Sequence, residues 1–470
     1  MQEKKQTKQA TLAHALIVIL FLIAILAVSL IVMGADPHVP LIMATIFAGL
    51  IGVFVLGFAW SDLEEAIVQT IGMAMQAILI LMVIGSIIGT WILSGTVPTM
   101  IYYGLQILSP GIFLVATALI CMIVSVSTGS SWTTAGTVGI ALMGVGIGLG
   151  IPEGVVAGAI VSGAYFGDKM SPLSDTTNLA PAMAGTTLIE HIKSMLYTTI
   201  PAIIIALILF AVMGTRYAGQ ELNAVEISSM LASMSENFNI SLLLLIPPIL
   251  VIAIVVMKVP ALPGLITGVI LGGIFAVAFQ GAGLADVIDA AHYGFYLESG
   301  NEIVDDLLSR GGLDGMMWTI SLILIALSFG GVMEKTGMLH AIGNAILQFA
   351  DSTGSLIAAT VLTCLAVNLL SGEQYIALVI PGRMYRDAYK EKGIHPRVLS
   401  RALEGGGTVT SALIPWNTCG AFMWSTLGVH PFAYLPYAYF NLAMPVVEII
   451  AGFMGFGVFN EDGTKVNVKA

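Results

Sequence analysis

Eight apolar stretches, each about as long as a bilayer is thick, recur along this chain at 13–34, 37–59, 70–93, 195–214, 240–258, 260–280, 315–333 and 436–458. A helix gains about 1.5 Å per residue, so about 20 apolar residues cross the hydrocarbon layer. Only 10% of the 470 residues are charged, against about 25% in a soluble domain. Too few charges remain to coat a soluble core, which excludes a cytosolic enzyme. The first run, Ala15 to Met33, follows Lys4, Lys5 and Lys8 as a signal peptide would. It is nonetheless long enough to span and has no small-x-small cleavage site, so a retained helix is expected. Cys121, Cys364 and Cys419 are odd in number and far apart, signalling neither a disulfide framework nor a zinc site.

Two further regions are apolar but interrupted. Gly111 to Gly185 is broken at Ser127-Thr128-Gly129-Ser130-Ser131 and again from Gly167 to Asn178. Gly354 to Gly428 is broken at Ser371-Gly372-Glu373-Gln374 and again over one longer interruption, Glu404 to Thr408 and then Pro415-Trp416-Asn417-Thr418. A shift of 243 residues lays breaks on breaks: Gly129 meets Gly372, Pro172 meets Pro415, and Gly185 meets Gly428. Each identity is weak, but the constant offset reads as a tandem duplication. Residues 383–401 carry Arg383, Arg386, Lys390, Lys392, Arg397 and Arg401, whereas the paired stretch 140–158 carries no basic residue. Basic loops face the cytoplasm, so equivalent loops fall on opposite sides and the repeats are expected to be inverted. In a ten-span arrangement with two interrupted hairpins, fourteen of the seventeen Lys and Arg fall inside. Arg216 and Arg310 fall outside, and Lys169 lies within the membrane. The expected fold is therefore an all-α polytopic membrane protein with two inverted-topology repeats, each holding a hairpin and a broken helix. Repeats at 13–214 and 240–458 flank an extracytoplasmic linker at 215–239, with cytoplasmic tails at 1–12 and 459–470.

Hydrocarbon tolerates a broken helix only around a protein-lined or watery cavity. Matched breaks in inverted repeats are how secondary transporters build a midplane site. A single Gly break would be read as close helix packing; four breaks in matched pairs, rich in Ser, Thr, Asp and Asn, point to transport. Five carboxylates fall in the membrane segments: Asp168, Asp175, Glu373, Glu404 and Glu448. Such groups are costly there and usually functional. Asp175 leads as a sodium ligand, because Ser174, Thr176, Thr177 and Asn178 surround it just after Pro172. Asp168 is the second candidate, with Lys169 beside it as a potential ion-pair partner. From the second break, Asn417 and Thr418 would add neutral oxygens to the same site. The hairpin tips, Ser127 to Ser131 and Ser371 to Gln374, either cap helices or supply donors to a substrate. Glu404 and Glu448 are proton-relay candidates; a buried hydrogen bond would explain Glu448 as well. His191 and His340 are expected at the surface. No nucleotide fingerprint or ATPase signature is present, so no cofactor is expected and the energy source is an ion gradient.

The stretch Gly136 to Gly144, followed by Ala164-Tyr165-Phe166-Gly167-Asp168-Lys169-Met170-Ser171-Pro172-Leu173-Ser174-Asp175-Thr176-Thr177-Asn178-Leu179-Ala180, resembles the signature of the NhaC family of sodium/proton antiporters, within the ion-transporter superfamily. The family also includes exchangers that couple malate and proton entry to sodium and lactate exit. The resemblance implies Na⁺/H⁺ antiport in the plasma membrane, both termini cytoplasmic, with Na⁺, H⁺ and lipid as partners. Malate/lactate exchange is the alternative and an uncoupled channel the remote one. No nucleic acid is implied, and a homodimer is allowed.

Overall fold

The computed structural model describes residues 7–218 and 224–465. Among them the chain is helical, with isolated β-bridges and no strand. Seven helices are long and apolar enough to cross a membrane: His38–Val55, Trp60–Leu93, Pro110–Thr128, Leu188–Ala218, Ala261–Gln280, Asp314–Lys335 and Thr353–Ser371. Counting each of two sharply bent pairs as one span brings the total among the described residues to nine. Ile227–Asn237 meets Leu242–Val256 at 93°, and Pro431–Tyr437 meets Tyr439–Met454 at 60°. The first apolar run forms a shorter helix, Leu12–Ala27, prolonged by a π-helical turn at Val28–Val32. Outward faces stay apolar; Phe54 is 80% exposed, which suits lipid and not water. This is an all-α polytopic membrane protein.

Helix boundaries recur at the 243-residue interval. Pro110–Thr128 matches Thr353–Ser371 at both ends, and Asp175–Ala184 matches Thr418–Leu427 at both ends. Each long hairpin helix stops at a glycine in the left-handed region, Gly129 (φ 72°) and Gly372 (φ 68°). Left-handed backbone is nearly free for glycine and strained for other residues. A Cβ on Gly129 would also lie 2.7 Å from the Leu173 carbonyl carbon, so this tip has to touch the break bare. The return helices begin with side-chain caps: Ser130 Oγ accepts from the Thr133 N–H at 3.1 Å, and the Glu373 carboxylate accepts from the Tyr375 and Ile376 N–H groups.

The halves interlock through one core that draws on both. Trp132 of the first hairpin stacks on Phe422 beyond the second break, with ring centroids 4.0 Å apart and planes 14° from parallel. Among the irregularities that break the pairing of the halves, two lie in the interrupted regions. The helix from Ser131 to Gly148 carries a π-helical turn at Ala135–Gly139, and the helix beginning at Pro396 carries one at Glu404–Thr408. A π turn inserts an extra residue and commonly marks a functional position.

Candidate functional site

The Glu153–Met170 helix delivers Asp168 to the centre of the molecule and then ends at Ser171-Pro172. Asp168 is 7% exposed and held from two sides. Oδ2 accepts from the Ser131 hydroxyl at 2.6 Å and the Ser131 N–H at 3.3 Å, and Oδ1 accepts from the Ser174 hydroxyl at 2.6 Å. One carboxylate thus ties the first hairpin tip to both sides of the first break. Ser174 Oγ lies 3.1 Å from Thr176 Oγ1, and Thr176 donates to Glu404 Oε1 at 2.9 Å. This short polar chain crosses from the first half to the π turn of the second.

Asp175, Thr177 and Asn178 sit differently from the expected shell. Asp175 is exposed at the start of its helix, with the Tyr375 hydroxyl 3.4 Å from Oδ2. Thr177 donates to the carbonyls of Asp168 and Lys169, each at 3.0 Å. The Asn178 amide donates to the carbonyls of Pro172 and Ser174. Thr177 and Asn178 therefore stitch the broken backbone, whose freed carbonyls would otherwise be orphaned in an apolar layer. Lys169 does not pair with Asp168. The helix is regular at that point, so adjacent side chains diverge, and Lys169 Nζ is buried with no hydrogen-bond partner among the described residues.

The second half repeats the hydrogen-bond plan with other side chains. Ser411 and Gln374 stand where the shift of 243 puts Asp168 and Ser131, and Ser411 Oγ donates to Gln374 Oε1 at 2.9 Å. The Cys419 thiol donates to the same oxygen at 2.8 Å. Asn417, at the Ser174 position, caps the next helix by accepting from the Cys419 N–H at 3.0 Å, and its amide donates to Asn368 Oδ1 at 3.1 Å. Thr418 turns to Glu373, 3.5 Å away. The remaining tip hydroxyls serve local backbone: Ser127 donates to the Ile123 carbonyl, Thr128 to that of Ser130, and Ser371 to that of Glu373.

Both tips, the first break and the start of the second half's Thr418–Leu427 helix line one cavity of about 760 Å³. Asp168, Asp175 and Glu373 face it, along with Ser130, Gly129, Thr128, Ser174, Thr176, Gln374 and Thr418. The sequence did not single out Gln76, Trp132, Lys258 and Tyr375, which also line it. Tyr375 had a signal of its own, since it directly follows a tip and so returns toward the break.

A second ionic cluster is fully buried and does not line this cavity. Glu448 sits on Tyr439–Met454, a continuous helix that carries Pro445 and meets the preceding Pro431–Tyr437 at 60°. It pairs with Arg401 at 2.7 Å, both side chains fully buried, while its Oε2 has no partner among the described residues. Arg401 also donates to the Gly457 carbonyl at 2.7 Å. Arg401 was missed as a partner although its position three residues before Glu404, inside an apolar region, was a clue. Glu404 is fully buried, and its Oε2 has no partner among the described residues. His191, expected at the surface, is fully buried as well, 2.8 Å from the Ser400 hydroxyl. The Leu188–Ala218 helix turns that face onto Pro396–Leu403, which buries it; His340 is exposed as expected.

Known proteins are similar to this chain over nearly all of its length. The profile of the Na⁺/H⁺ antiporter family matches residues 163–456, which include Asp168, the first break and the second hairpin. The chain is 42% identical to the Na⁺/H⁺ antiporter NhaC of Alkalihalophilus pseudofirmus, over 97% of this chain and 98% of the relative. It is 40% identical to the malate-2H⁺/Na⁺-lactate antiporter of Bacillus subtilis, over 96% of each. It is 38% identical to the arginine/ornithine antiporter ArcD of Halobacterium salinarum, over 97% of this chain and 94% of the relative. The chain belongs to the Na⁺/H⁺ antiporter family.

Proposed function

We propose that this protein exchanges Na⁺ for H⁺ across the plasma membrane by alternating access, with Asp168 as the carboxylate that takes either ion. The observation that carries this reading is the setting of Asp168: buried, bordering the cavity, and hydrogen-bonded, among the described residues, only by hydroxyls and one N–H. A hydroxyl is donor and acceptor at once. Ser131 and Ser174 donate to the carboxylate when no cation is near; turned about their C–O bonds, they offer lone pairs to Na⁺ beside it. Na⁺ and H⁺ cannot share that oxygen pair, so the site exchanges one for the other as the cavity opens to each side. Thr176 joins this centre to Glu404, which gives the proton a second buried station. Asp175, at the mouth with Tyr375, draws cations in, and Thr418 with Glu373 completes the opposite wall. The topology that accompanies this reading has inverted repeats at 13–214 and 240–458 and both termini cytoplasmic, as the fourteen inward Lys and Arg favour.

Organic-acid exchange is the second reading, favoured by a cavity of about 760 Å³, far larger than one bare cation needs. Against it, both tips already hold carboxylates on their N–H groups, Asp168 on Ser131 and Glu373 on Tyr375 and Ile376. The helix N-termini an anion would use are taken. Purified protein in sealed vesicles tests the choice. An imposed Na⁺ gradient should move protons in buffer free of malate and lactate. Proton movement that strictly requires either acid would establish the second reading, and Na⁺ conductance without proton movement would reject both.

A further inference from the structure

We propose that a cavity distant from the central site holds the headgroup of an anionic phospholipid. It has a volume of about 700 Å³ and lies between the start of the Leu188–Ala218 helix and the C-terminal segment, lined among others by Lys193, Ser194, Tyr197, Arg397, Phe456 and Phe459. Two of the lining groups are donors with nothing to donate to. Ser194, 1% exposed, has a buried Oγ without a partner among the described residues, and so has Arg397 at Nε. Arg397 is held in place by Phe459, its guanidinium carbon 3.7 Å from the ring centroid. Neither Lys193 nor Arg397 has a carboxylate within salt-bridge distance among the described residues. The acids nearby are engaged or outward. Glu190 accepts from Thr186 and Thr187 and lies 3.7 Å from His395, and Glu461 is exposed.

A phosphate group matches this set of donors, and the rim says which molecule carries it. Leu196, Ile200 and Phe456 are 41%, 45% and 50% exposed, and Ile204 continues the apolar strip along the helix at 50%. Basic pockets at the ends of transmembrane helices bind anionic headgroups, with acyl chains along the apolar flank. Free phosphate would use the donors and leave this rim unexplained. Gly457 ties the pocket to the interior: its carbonyl accepts from Arg401, and a Cβ there would lie 2.7 Å from Tyr197 Cβ. The inference concerns binding alone and does not depend on which ions the protein exchanges.

Full-length protein in detergent, titrated with phosphatidylglycerol or phosphatidylcholine and read by native mass spectrometry, tests it. Phosphatidylglycerol should bind one site in preference to phosphatidylcholine. Lys193→Gln should weaken it about fivefold, the value of one basic contact near a headgroup. Lys193→Gln with Arg397→Gln should weaken it further. Lys390→Gln, an exposed basic residue elsewhere, should leave affinity unchanged. Should Arg397→Gln unfold the protein, Lys193→Gln and Ser194→Ala, which spare the Phe459 contact, carry the test alone. Equal affinity for both lipids, unchanged phosphatidylglycerol binding in Lys193→Gln, or its displacement by millimolar inorganic phosphate would overturn the proposal, the last by making this a site for soluble anions.

Discussion

The first and second breaks share a hydrogen-bond plan and differ in charge. In the first, the hairpin tip donates through Ser131 to Asp168; in the second, Ser411 donates to Gln374 of the tip. The donor and acceptor have swapped elements, and the acceptor has changed from a carboxylate to an amide. The same hydrogen-bond plan satisfies a broken backbone in both places. Only one copy then needs the costly group that can hold a cation, and the other can keep the geometry with neutral side chains. The second half is not free of acids, however. Glu373 caps its hairpin helix and Glu404 reaches across to Thr176.

The largest expected effect separates the two copies. Asp168→Asn should lower Na⁺-driven proton movement by at least a hundredfold, whereas Ser411→Ala should lower it less than fivefold, both measured in vesicles at matched protein content. Equal losses would mean that the breaks act as equivalents.

Next comes the ionic pair behind the site. Arg401→Met alone leaves Glu448 buried and unpaired, which should cost about 3–5 kcal/mol of stability, while Arg401→Met with Glu448→Leu should recover most of the loss. Thermal unfolding of the two variants checks this. If the double variant unfolds as early as the single, Glu448 contributes something beyond its pairing with Arg401.

How much of this was legible in the residues divides along physical lines. Spans, hairpins and breaks followed from apolar length and from glycines and prolines, because hydrocarbon constrains the backbone severely. The 243-residue interval carried through to helix boundaries such as Pro110–Thr128 and Thr353–Ser371. Side-chain direction did not follow. Asp168 and Asp175 stand seven residues apart in the same motif, and only the helix end at Met170 decides which of them turns inward. Thr177 and Asn178 looked like ion ligands because they are oxygen-rich, yet a broken helix needs the same residue types to hold its own carbonyls. His191 is buried by a helix from the other half, beside Ser400, and burial of that kind leaves no local trace in the sequence.

Smaller effects refine the comparison. Glu404→Gln should slow exchange about tenfold and change apparent Na⁺ affinity less than twofold, as expected of a proton station outside the cation shell; a large affinity change would place Glu404 in that shell. Asn417→Ala removes a helix cap and should cost about 1 kcal/mol of stability, visible in thermal unfolding, with apparent Na⁺ affinity shifted less than twofold. A larger affinity shift without lost stability would make Asn417 a ligand.

The most direct measurement sets Asp168→Asn beside Asp175→Asn in the same vesicles, following Na⁺-driven proton movement over a range of Na⁺ concentrations. Asp168→Asn should be inactive at every concentration. Asp175→Asn should reach the wild-type maximal rate with apparent Na⁺ affinity weakened only a few-fold. Retained exchange in Asp168→Asn together with abolished exchange in Asp175→Asn would contradict the assignment of the cation to the buried carboxylate.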